Sequence, residues 1–125
     1  MTSVIDEVDA EQQLSRVFAA LADPTRRRIL SQLSTGPARV GEVASRFEVS
    51  APAISQHLKV LERAGLVSRT AEAQWRTLSL QTAPLDAAAA WVDEQRREWN
   101  LRLDSLERHL AVMKARTTIE RNDLD

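Results

Sequence analysis

The stretch that most constrains this chain runs from Val40 to Gly65, where two short helical patterns are separated by only three residues, Glu48-Val49-Ser50. Val43, Ala44 and Phe47 place apolar side chains on one side of a first segment, Val40–Phe47. Ser50 is then suited to cap a second helix that runs to Ala64, because its hydroxyl can accept one of the free N–H groups of the first turn. Pro52 falls in that first turn, where a missing N–H costs nothing, and Gly65 sits where a left-handed C-terminal cap is wanted. Two short helices joined this tightly predict a helix-turn-helix. Many helical proteins contain such a pair without touching nucleic acid, so the face shown by the second helix decides.

Within that helix Ile54, Leu58 and Leu61 fall within ~60° of one another and define a core stripe. Pro52, Gln56, Lys59 and Arg63 cluster on the opposite side, with Ser55 at their edge. No carboxylate joins them except the flanking Glu62. A glutamine can bond an adenine edge with two hydrogen bonds, and lysine or arginine can reach guanine or phosphate. Ser50 and Ser55 are short enough to let a backbone come close. A merely solvated face mixes both charge signs, as Asp86–Arg97 does, whereas this one is nearly free of acid. The pattern favours a nucleic-acid groove over water.

The flanking segments give this pair its setting. Asp9 and Gln12 resemble a helix start, and Leu14, Val17, Phe18 and Leu21 recur at helical spacing. Asp23-Pro24 caps and opens another helix, whose inner side is Ile29, Leu30 and Leu33, and Gly36-Pro37 stops it. After Gly65 the period changes to two. Leu66–Thr70 and Trp75–Leu80 read as strands around an Ala71–Gln74 loop, a hairpin flanked by Arg69 and Arg76 with Val67, Leu78 and Leu80 turned inward. A hairpin directly after a helix-turn-helix is a wing. Pro84 then restarts a helix, from Leu85 to about Arg116, on which Val92, Gln95, Trp99, Leu103, Leu106, Leu110 and Met113 step by three or four. Trp91 and Trp99 are its large anchors. Such a seam suits a second subunit, joined by the first helix, and the alternative is that it folds back on its own core.

The expected architecture is mainly α with a small β-hairpin, a winged helix-turn-helix in the order α-α-α-α-β-β-α. One domain is expected over 9–116, with disordered ends at 1–8 and 117–125. Its 125 residues suit a single core. The formal net charge of −1 conceals a division. Residues 1–13 carry a net of −4, residues 14–81 a net of +5 and residues 82–125 a net of −2. The basic middle can attract phosphate although the whole is near neutral. The chain has no cysteine, which excludes disulfides and thiolate chemistry. With two histidines and no glycine-rich phosphate loop, few catalytic constellations remain, and no cofactor is expected. Asp93-Glu94 lies in a mixed-charge helix and reads as solvated surface. No apolar run approaches the ~18 residues of a membrane span, and a cytoplasmic protein is expected.

Three stretches carry a family resemblance: Phe18-Ala19-Ala20-Leu21-Ala22-Asp23-Pro24-Thr25-Arg26-Arg27-Arg28-Ile29-Leu30, Val43-Ala44 through Val49-Ser50, and Ile54-Ser55-Gln56-His57-Leu58-Lys59-Val60-Leu61-Glu62-Arg63-Ala64-Gly65-Leu66-Val67. The chain resembles the ArsR/SmtB family of bacterial winged-helix repressors over roughly residues 14–81. The resemblance implies a homodimer held by the first and last helices, through Leu14, Val17, Phe18, Leu21, Trp91, Trp99, Leu103, Leu106 and Leu110. It also implies recognition helices in successive major grooves of double-stranded operator DNA, and repression by occluding a promoter. Ser55, Gln56 and Lys59 are the expected base readers. Arg26, Arg27, Ser50, His57, Arg63, Arg69 and Arg76 are the expected backbone contacts, with intramolecular ion pairs as the alternative for Arg26 and Arg27 and a packing contact as the alternative for His57. The chain departs from the family's metal sensors: it lacks their cysteine motif, and the last helix has only His109, so no metal site is expected and the cysteine-free branch fits best. Ala73 stands at the wing tip where many relatives have glycine. The effector is unknown. The alternatives are a metal- or small-molecule-responsive repressor of the same fold, or a module that binds only protein partners.

Overall fold

Capping chemistry sets the helix boundaries around the helix-turn-helix. The computed structural model describes residues 4–124. Its elements are α1 (Val4–Leu21), α2 (Pro24–Leu33), β1 (Ala38–Arg39), α3 (Val40–Ser45), α4 (Ala51–Arg63), β2 (Val67–Glu72), β3 (Trp75–Leu80) and α5 (Ala83–Leu124). Asp23 caps α2, its Oδ2 accepting the Arg26 amide at 3.0 Å. That hydrogen bond is the main reason its carboxyl lies below the ordinary aspartate value; partial burial opposes it, and the charges of His57 and Arg26 add to it. Ser50 Oγ accepts the Ala53 amide at 3.3 Å to start α4. At its end Gly65 takes φ +73°, and the Gly65 and Leu66 amides bond back to the Glu62 and Leu61 carbonyls, each at 3.0 Å. This is the Schellman arrangement, which the glycine permits. A Cβ at Gly65 would also meet Gln13 Nε2 at 3.2 Å.

The core gathers Val17 and Ala20 of α1, Ile29, Leu30 and Leu33 of α2, Val43 of α3, and Ile54, Leu58 and Leu61 of α4. Leu66, Val67 and Leu78 close it from the sheet side, and Ala88 from the start of α5. This core takes in the apolar face of α1. Val17 is 1% exposed, and Leu14, Phe18 and Leu21 pack partly buried against the same cluster. The face proposed for subunit pairing thus also serves the subunit's own core, Val17 wholly and the other three in part.

The strands form one antiparallel sheet in the order β1-β3-β2. β1 was not expected: two residues are too few to show a period, and they become a strand only by pairing Ala38 with Leu78 and Arg39 with Thr77. The hairpin is also tighter than expected, since β2 reaches Glu72 opposite Trp75 and leaves only Ala73 and Gln74 in the loop. Ala73 makes this turn at φ +54°. The first loop residue with positive φ is a glycine position, because a Cβ there crowds the backbone. Ala73→Gly is therefore expected to stabilise the protein by about 0.5–1 kcal/mol, the relief of that strain less the added freedom of the unfolded chain. Denaturant unfolding checks it, and a lower midpoint would refute the strain.

Both ends are more helical than expected. α1 begins at Val4 rather than near Asp9, with Asp6 and Glu7 in its first turn, where negative charge favours helix. α5 continues over 42 residues to Leu124 rather than stopping near Arg116, and neither proline nor glycine interrupts it after Pro84. The disorder expected at 1–8 and 117–125 is thus replaced by helix wherever those residues are described; residues 1–3 and 125 lie outside the described residues. The chain divides into two compact units, the first ending at Ala89 and the second beginning at Ala90. Among the described residues no helix is long and apolar enough to cross a membrane.

Candidate nucleic-acid interface

Because Ile54, Leu58 and Leu61 are locked in the core, the opposite side of α4 has no choice but to face outward. Ser55, Gln56, Lys59 and Arg63 are all exposed there, as is Ser50 at the cap. The one flanking carboxylate is taken up locally. Glu62 Oε1 accepts from Arg69 Nε at 2.9 Å and Nη2 at 2.8 Å, a fork that ties β2 to α4. The face is left without a competing free acid, and Arg69 is spent in the process. Strand alternation places Arg76 on the same side of the hairpin as Arg69 and Leu78, and Arg76 remains exposed.

Three further expected backbone contacts, Arg26, Arg27 and His57, have partners within the subunit. Arg26 donates from Nε to the Ala20 carbonyl and from Nη2 to the Ala19 carbonyl, both at 2.8 Å. Its Nη1 lies 3.3 Å from His57 Nδ1, and that same ring nitrogen is 3.8 Å from Asp23 Oδ2. Arg27 donates from Nη1 to the Leu21 carbonyl at 2.7 Å. The last carbonyls of a helix have no partner of their own and carry its negative pole, and α1 has no basic residue in its last turn. The two arginines of α2 supply what α1 lacks. In this arrangement they and His57 are engaged with the protein itself rather than gathered on the exposed side of α4. Where ion pairs are the expected alternative for Arg26 and Arg27, the structure has hydrogen bonds to carbonyls, which charge patterns along the sequence do not reveal.

A pair between β1 and the wing has no counterpart among the expected site residues. The Arg39 guanidinium stacks over the Trp75 ring, 3.9 Å from its centroid. A strand at 38–39 would have been the signal for it, and two residues gave none. Among the described residues no group of three or more His, Cys, Asp or Glu could hold a metal ion.

A family model described as bacterial regulatory protein, arsR family, matches residues 23–69, from the α2 cap through Arg69. The transcriptional repressor SdpR of Bacillus subtilis is 38% identical over 79 residues, which are 63% of this chain and 88% of SdpR. The chain belongs to the arsR family. The HTH-type transcriptional regulator Rv2034 of Mycobacterium tuberculosis is 58% identical over 52 residues, 42% of this chain and 49% of Rv2034. The solved structure of an ArsR-like transcriptional regulator from Rhodococcus sp. RHA1 superposes with a TM-score of 0.70 at 32% identity, covering 78% of this chain and 92% of that one. As an ArsR protein the molecule is a DNA-binding transcriptional regulator, not an enzyme. Its mostly helical fold with a small hairpin is that of the winged helix-turn-helix, α3 and α4 forming the helix pair and β2–β3 the wing.

Proposed function

We propose that this ArsR-family protein is a cytoplasmic repressor that binds an inverted-repeat operator as a homodimer. The observation that carries the reading is the outward side of α4, exposed along its length, with its one neighbouring carboxylate already paired to Arg69. Ser55, Gln56 and Lys59 read base edges in the major groove, while Ser50, Arg63 and Arg76 contact phosphates and fix the register. The relative SdpR, named a repressor, supports the direction of control. Two copies related by a two-fold axis call for half-sites about one helical turn apart or a multiple of it.

The test is selection of bound genomic fragments followed by footprinting, which reads the operator and its symmetry together. On that operator Gln56→Ala is expected to cost about 1–3 kcal/mol and to relax the preference at one base pair. Unchanged affinity and footprint would remove Gln56 from the reading set, and selected fragments without inverted symmetry would overturn the dimeric reading.

A further inference from the structure

We infer that Arg39, held by Trp75, is a phosphate-binding residue at the base of the wing, a contact separate from α4 that rests on the DNA-binding reading above. The cations point to it. Of the basic side chains expected to grip the DNA backbone, Arg26 and Arg27 are bound to α1 carbonyls and Arg69 to Glu62. The wing therefore meets DNA with Arg76 and with what stands beside it. Arg39 is on the neighbouring strand: it pairs opposite Thr77, on the side of the sheet that carries Trp75 rather than Arg76, and an open cleft is lined by Arg39, Gln74, Trp75 and Arg76 together.

The stack explains why this arginine suits a phosphate. A guanidinium lying on an indole uses only its flat face, and its N–H groups remain in its plane for an acceptor. Arg39 has no ion pair or hydrogen-bond acceptor among the described residues, and it is exposed. Stacking also removes rotamer freedom before binding, which lowers the cost of ordering a long side chain against DNA. Trp75 is 46% exposed, so the pair is open to a large partner. The cleft holds one opposing charge, Glu42. A carboxylate there weakens the attraction for phosphate, which gives the reading a test in the direction of gain.

The experiment is titration of a mixed-sequence DNA duplex with the full chain across a salt series, since binding without sequence preference isolates the phosphate contribution. Arg39→Gln is expected to weaken binding to every sequence alike and to reduce the salt slope by about one. Arg39→Lys restores the slope, because the charge returns. Glu42→Gln tightens binding. Should Arg39→Gln lower the thermal midpoint and leave the slope untouched, the pair only staples β1 to β3 and the inference is wrong. If the unsubstituted protein ignores duplex DNA at low salt, the DNA-binding reading itself fails and takes this contact with it. If it binds and only the Arg39 slope is unmoved, this contact alone is lost.

Discussion

Replacing Arg26 by alanine is expected to lower the unfolding free energy by about 2–3 kcal/mol while leaving the salt slope of duplex binding unchanged. The loss follows from two charge-assisted hydrogen bonds at 2.8 Å, to the Ala19 and Ala20 carbonyls. Hydrogen bonds to charged groups contribute about 1.5–3 kcal/mol each, and one of these is exposed and worth less. Those carbonyls stand at the negative end of α1, so the guanidinium also loses a favourable field. Arg26→Lys keeps the charge but not the planar fork, and recovers only part of the stability. The salt slope separates this role from the one its sequence suggested. A phosphate contact removed by substitution lowers the slope by about one, and a cap removed inside the subunit does not. Urea unfolding and anisotropy titrations on the same variant give both readings. Full stability with a shallower slope would return Arg26 to the DNA.

The same residue shows which parts of the molecule were legible beforehand. Asp23-Pro24, Ser50 with Pro52, and Gly65 act within one or two turns of themselves, and each stands where its chemistry placed it. The core stripe of α4 was equally plain, since period alone puts Ile54, Leu58 and Leu61 on one side. What failed needed a partner remote in the chain. His57 meets Arg26 across 31 residues, and β1 exists only because β3 lies beside it. Leu14, Val17, Phe18 and Leu21 illustrate a different limit. Their spacing states that one face of α1 is buried but not against what, and a core and a subunit interface have the same period. The wing loop came out two residues too long because Ala73 carries no glycine-like signal, yet takes a glycine-like φ.

Val17 of α1 is spent on the core, so the proposed pairing of subunits rests mainly on α5, and a charge in its seam is expected to separate them. Trp99, Leu103, Leu106 and Leu110 recur at steps of three or four and are 66%, 50%, 52% and 53% exposed in the single subunit. Such a row facing water is the kind of surface that a second copy covers, and Trp91 extends it at 46% exposure. Leu106→Asp places a carboxylate where two apolar stripes would meet, and burying it unpaired is costly on both sides of the two-fold. Sedimentation velocity is expected to show a dimer for the unsubstituted chain and a monomer for the variant. The first unit does not contain Leu106, so its cooperative unfolding should persist. Operator binding should nonetheless fall by about 10²–10⁴-fold, because a dimer delivers its second reading helix at high effective concentration and a monomer does not. Binding to a single half-site should change little. A variant that stays dimeric would move the interface off this seam, and a monomer that kept full operator affinity would remove the need for a pair at all.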